Sequence, residues 1–189
     1  MTTVAVPTHL LTLHEWEELP EETYRRAELA EGVLQVNPRP TVRHQVVLTR
    51  LMVQLIRATA DAPLAVIPNI DVLIDSVFPA TIRQPDVTVA RGHTAAADPT
   101  RLVATDVLLV VEIVSPGSGR RDRVTKPSEY AEARIPHYWI VTTDGPAIGL
   151  DTFSLNGDVY VRSEHADGGT LTLAEPFPVT LDLDALRTW

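Results

Sequence analysis

The clearest periodicity in the chain runs from about Val42 to Ala60. There Val47, Leu48, Leu51, Met52, Leu55 and Ile56 recur at helical spacing, with Arg43, Arg50 and Arg57 roughly opposite. This is the pattern of an amphipathic helix that turns one face to a core, with the arginines on a solvated face. Upstream, Thr12 to Glu15 has capping-box spacing ahead of Trp16 and Leu19, which predicts a short helix stopped by Pro20. Between these helices the segment Tyr24 to Val36, with Glu31-Gly32 at its centre, reads as a β-hairpin closed by Pro38 and Pro40.

After Asp61 the texture becomes β. LAVI and IDVLI predict strands, the second alternating about Asp71, Leu73 and Asp75. Pro85 opens a further strand through Ala90, a placement that edge or terminal positions allow. Residues 92–105 are polar and predict a loop. The run from Asp106 to Val114 is the most hydrophobic of all, and its shortness and β-branched content predict a central strand covered on both faces. Ser115 to Gly119 ends it, a helix follows to about Arg134, and HYWIV predicts another buried strand. Turns at Asp144-Gly145, Asn156-Gly157 and Asp167-Gly168-Gly169 separate the last short strands, and Asn156-Gly157 marks a hairpin. No repeat or linker divides the chain, so one domain is expected over residues 1–189, with its core at about 12–187.

Composition narrows the setting. Hydrophobic content of 44% with 22% charged residues suits a globular fold, and no apolar run approaches the ~20 residues that a membrane helix needs. The N-terminus lacks a charged leader followed by an apolar core, so no secretion signal is expected. Cysteine is absent, which excludes disulfides, thiolate catalysis and cysteine-bound zinc and is compatible with a cytoplasmic location. A net charge of −9 argues against non-specific coating of nucleic acid, while leaving room for a local basic face.

Three residues carry candidate chemistry. Glu112 interrupts the most apolar strand, where an unpaired carboxylate would cost on the order of several kcal/mol, so it must be paired, neutralised or bound to a cation. Asp86 opens a second apolar strand, and if the two strands are neighbours both carboxylates can reach one point at the sheet edge. A hard divalent cation such as Mg²⁺ fits that arrangement. A purely structural ion pair with an arginine carries equal weight. Lys126 is the sole lysine beside fifteen arginines. It stands either where a compact ammonium is needed and a planar fork would not fit, or as a survivor of codon bias. The histidines have no metal-ligand spacing, and the chain contains no Gly-rich phosphate loop and no G-x-S-x-G turn.

The segments PDVTVA, LLVVEIVSPGS and RRDRVTKPSEYAEARIPHYWIV together resemble the Uma2 (DUF820) restriction-endonuclease family of the PD-(D/E)XK nuclease superfamily. The likeness extends upstream through AELAEGVLQVNPRPTVRHQVV and downstream to PFPVTLDLDAL, covering about residues 12–187. It implies an α/β (α+β) fold, a restriction-endonuclease-like mixed sheet flanked by helices, with N-terminal and C-terminal β-hairpins. It implies an Mg²⁺-dependent endonuclease, with Mn²⁺ as a possible substitute, acting on nucleic acid and most readily DNA. The other reading is a nuclease fold kept as a binding module with weak or no catalysis. A homodimer is compatible with the superfamily, though no residue demands it.

By the same resemblance, Asp86, Glu112 and the main-chain carbonyl of Ile113 hold the metal. The superfamily's usual lysine, two residues after the acid, is replaced here by Val114, and Lys126 on the next helix matches the relocated lysine of similar members. Pro127 biases Lys126 away from helical angles unless the helix begins there. Glu28 matches an additional acid near the metal and is favoured over Glu31 in the hairpin turn. His44 matches a family position, either touching a phosphate or capping its helix. Tyr130 packs over the site or fills core, and Gln84 contacts substrate or packs at a strand end. Arg120, Arg121 and Arg123 form the densest basic cluster and are expected to meet a nucleic-acid backbone.

Overall fold

Alternation along one strand organises the molecule. In the computed structural model, which describes residues 7–20, 27–114 and 124–187, the apolar run forms strand β8 (Val107–Val114). It lies between β6 (Val87–Arg91), antiparallel, and β9 (His137–Thr142), parallel. Together with β3 (Leu64–Pro68), β10 (Gly149–Asn156) and β11 (Val159–Asp167) they make a six-stranded mixed sheet in the order β11-β10-β9-β8-β6-β3. Leu109, Val111 and Ile113 point to one face, and Val110 and Val114 to the other. Both faces are covered, as the uninterrupted hydrophobicity of the run requires.

The first face receives helix α2 (Val42–Ala58), which buries Val47, Leu48, Leu51 and Leu55 against β6, β8 and β9. The C-terminal hairpin of β12 (Thr170–Leu173) and β13 (Val179–Asp182) completes that layer. Arg43 and Arg50 do not simply face solvent, as the periodicity predicts. Arg43 donates to the Thr143 carbonyl and Arg50 to the Ala185 carbonyl, because their long stems reach past the buried face to carbonyls outside the sheet that need donors. Residues 92–105 are likewise not a plain loop. They hold helix α3 (Gly92–Ala96) and strand β7 (Arg101–Val103), whose Leu102 is buried by parallel pairing with β4 (Asp71–Asp75). One buried residue in a three-residue strand leaves no period to read.

A second sheet, in the order β2-β1-β5-β4-β7, contains the N-terminal hairpin of β1 (Ala27–Ala30) and β2 (Val33–Val36) and strand β5 (Thr81–Arg83). Helix α1 (Leu13–Glu17) carries the full capping box and seats Trp16 in a cluster with Ala27, Leu29 and Ile82. At the hairpin turn, Glu31 and Gly32 both have positive φ, and a Cβ on Gly32 would meet Leu10 at 2.9 Å. Strand β5 runs through Gln84, Pro85 and Asp86 directly into β6, so the chain passes from one sheet to the other within these residues. Pro85 thus stands at a strand terminus, as expected, although β6 itself is interior.

A parallel β8–β9 pair needs a crossover. Its described part is helix α4 (Lys126–Glu132), packed on the Val110 and Val114 face. The helix starts at Lys126 with Pro127 in its first turn, so proline begins it rather than kinking it. No described helix is long and apolar enough to cross a membrane.

Candidate active site

The junction between the sheets gathers charge. Glu112, in the middle of a strand, must follow Val110 and Val114 toward α4, and it is 4% exposed. Its Oε1 accepts from Lys126 Nζ at 2.9 Å and from the Tyr130 hydroxyl at 2.8 Å. These two donors stand four residues apart on α4, on one helical face, so a single turn of helix addresses a single carboxylate. Lys126 is 5% exposed, and its ammonium also lies 3.1 Å from Glu28 Oε1. Glu28, fully buried on β1, accepts there from the Gln84 N–H, while its Oε2 accepts from Arg83. Tyr130 thus does more than fill core, and Glu28 rather than the exposed Glu31 joins the cluster.

Asp86 comes from the other side. Val87 pairs with Val111, and one further step of that antiparallel register sets Asp86 opposite Glu112. Its Oδ2 accepts from the Ile113 N–H at 2.7 Å, and its Oδ1 lies 3.1 Å from His44 Nε2. In an extended strand a residue's N–H and C=O point to the same side, so the Ile113 carbonyl opens toward Asp86 too. His44 does not cap α2, because Thr41 Oγ1 holds that position by accepting from the His44 N–H. The ring reaches Asp86 instead, leaving His44 Nδ1 buried without a hydrogen-bond partner. Arg120, Arg121 and Arg123 lie outside the described residues.

Sequence reasoning missed Arg83. It is 1% exposed, makes a two-pronged contact with Glu129 at 2.6 Å on each arm, and spans to Glu28 and Gln35. The available signal was an arginine and a glutamine directly ahead of Pro85-Asp86 in an otherwise apolar stretch. Gln84 packs at the strand end, its side chain donating to Asp71 Oδ1 at 3.0 Å. A surface depression of about 450 Å³ between Pro40 and Arg50 on α2 includes none of these acids.

The electrostatics follow from burial. Burial pushes Glu28 up, but the charges of Lys126 and Arg83 and hydrogen bonds from the Gln84 N–H and Lys126 outweigh it and hold the carboxyl below its ordinary value. Burial would lower Arg83, yet its hydrogen bonds to Glu129 and the charges of Glu28 and Glu129 raise it above an already high value. Burial first, then the charges of Glu112 and Glu28, lift Tyr130 well above the usual phenol range, so it remains a neutral donor. Asp71 is raised to about 6, chiefly by burial, with the Gln84 amide opposing and Glu28 adding.

Among the described residues no three His, Asp or Glu side chains form a ready-made metal cage. The donor types nonetheless suit a hard cation: carboxylates on paired strands, Asp86 beside β6 and Glu112 on β8, and a main-chain carbonyl, all oxygen. Three carboxylates (Glu28, Glu112 and Glu129) share two cations (Arg83 and Lys126), an excess of negative charge that a further cation would offset. Each carboxylate oxygen has two lone-pair directions, so the two contacts of Asp86 do not exhaust it.

Residues 12–185 match the Uma2 family, described as "Putative restriction endonuclease". Among solved structures, that of "a putative nuclease belonging to DUF820 from Anabaena variabilis ATCC 29413" superposes with a TM-score of 0.71. The match covers 95% of this chain and 98% of that one at 16% identity, a likeness of fold. No sequence among curated proteins matches.

Proposed function

The chain belongs to the Uma2 family, and on that premise we propose that it is a divalent-cation-dependent endonuclease that hydrolyses phosphodiester bonds in nucleic acid, DNA above all. Mg²⁺, with Mn²⁺ as substitute, would be held by Asp86, Glu112 and the Ile113 carbonyl, and when bound it supplies positive charge beside the scissile phosphate and acidifies a water. The observation that carries the reading is the placement of the chain's sole lysine. Its ammonium is buried and held between Glu112 and Glu28.

Each residue has a distinct task. Lys126 Nζ donates toward the attacking water or a non-bridging phosphate oxygen and steadies the charge that develops there. Tyr130 keeps Glu112 turned toward the site, and the Ile113 N–H and His44 do the same for Asp86. Glu28 gives the ammonium a second anchor, so the lysine stem is fixed before substrate arrives. Arg120, Arg121 and Arg123 remain the expected contacts to the nucleic-acid backbone.

The test is nicking of supercoiled DNA. We expect conversion to open circle with Mg²⁺ or Mn²⁺ and none with a chelator. Glu112→Ala and Lys126→Ala proteins that retain the wild-type circular dichroism should lose it. No cleavage of single- or double-stranded DNA or RNA with either metal would overturn the assignment. A second reading, a binding module without catalysis, is favoured by one observation: both candidate ligands are already partnered, Asp86 by His44 and Glu112 by Lys126 and Tyr130.

A further inference from the structure

Lys126 does the work assigned to it only if its ammonium sits at one place, and the chain must achieve this from a helix end rather than from the strand position occupied by Val114. Four methylene groups separate that ammonium from its backbone, so the stem needs outside restraint. Arg83 touches both things that could supply it. Its Nε and Nη2 donate to the two oxygens of Glu129, each at 2.6 Å, and Glu129 lies one turn beyond Lys126 on the same helix. Its Nη1 donates to Glu28 Oε2 at 3.1 Å, while the opposite oxygen of that carboxylate receives the ammonium of Lys126. One guanidinium therefore grips the helix that carries the lysine and the carboxylate that receives it.

We propose that Arg83 is the positioning residue of this site: it fixes the depth of α4 through Glu129 and the orientation of Glu28, and so places Lys126 Nζ beside Glu112. The inference rests on the reading of Lys126 given above and adds a residue to it. The geometry needs a planar fork. A single ammonium at position 83 cannot satisfy Glu129 in two-pronged fashion and still reach Glu28. A merely structural role would show as lost stability; a positioning role must also move the lysine.

The sole lysine makes that readable. Protein grown on ¹³C,¹⁵N-labelled lysine gives one side-chain Cε signal, from Lys126. In Arg83→Lys, labelled at both resulting lysines and assigned against Lys126→Arg/Arg83→Lys, the Lys126 signal should move and broaden relative to wild type. Under saturating Mg²⁺, kcat for nicking should fall by about 100-fold, the size expected for a reacting group displaced by about an ångström, with KM nearly unchanged. Arg83→Lys may be replaced by Glu129→Gln where folding fails. That variant weakens the fork, leaves the Glu28 arm, and should shift the same signal less far. A Lys126 signal unmoved in the folded variants, or a kcat within about twofold of wild type in an active enzyme, would overturn the proposal. If the wild type cleaves nothing, the nuclease reading fails, and the position of the Lys126 signal alone still decides whether Arg83 places it.

Discussion

The two faces of β8 differ in kind although successive residues of one strand build them. Toward α2, Leu109, Val111 and Ile113 meet Leu48, Leu51 and Leu55 in one apolar cluster. Toward α4, Val110 and Val114 flank Glu112, and beyond them lies the cluster of Lys126, Glu28, Arg83 and Glu129. The first face is the cheapest way to hold a sheet together. The second carries buried charges that well-packed apolar residues of similar size would often match or exceed in stability. Their retention in the interior is what the proposed catalytic role requires.

Substitutions on either side should separate the two roles. Glu112→Gln should fold and lower the nicking rate by about 1,000-fold, at the upper end of what one electrostatic group contributes to a transition state. Leu51→Ala, on the opposite face, should cost about 2–5 kcal/mol in urea denaturation while leaving the rate per folded molecule within about twofold. Equal losses of stability and activity in both variants would erase the distinction between the faces.

A smaller effect appears in the pH dependence of stability. Asp71, tied to the cluster through Gln84, is raised to about 6 in the folded protein from an ordinary value of 3.8. A carboxyl raised on folding favours the folded state when protonated. Its contribution is full below the ordinary value and is lost as pH rises through about 6. Asp71→Asn should therefore melt higher than wild type at pH 8, and the gain should vanish near pH 4. Glu28 works in the opposite sense: its carboxyl is lowered on folding, so the stability it adds is present above its ordinary value and is lost as pH falls through the lower folded one. Thermal melts from pH 3 to 8 read both.

Much of this arrangement was visible in the sequence where it rests on local period. The strand around Glu112, the helix around Leu51 and the turn at Glu31-Gly32 form as patterned, and the hairpin marked by Asn156-Gly157 forms with its turn one residue later, at Gly157-Asp158. Asp86 and Glu112 stood out as polar exceptions in apolar strands, and Lys126 as the sole lysine. Contacts set by distant pairing were not legible. Arg83 is one arginine among fifteen, and its meaning comes from the β1–β5 pairing of Leu29 with Ile82, which brings it beside Glu28. The contact between His44 and Asp86 depends in the same way on how α2 lies across the sheet. Strand β7 was hidden because its burial comes from docking on β4 and not from its own composition.

The most direct test of the central claim is calorimetric titration of Mn²⁺ into the wild-type protein and into Asp86→Ala and Glu112→Ala. The account predicts saturable binding to the wild type that disappears with either carboxylate. Binding of equal strength in all three proteins, or none to the wild type, would contradict it.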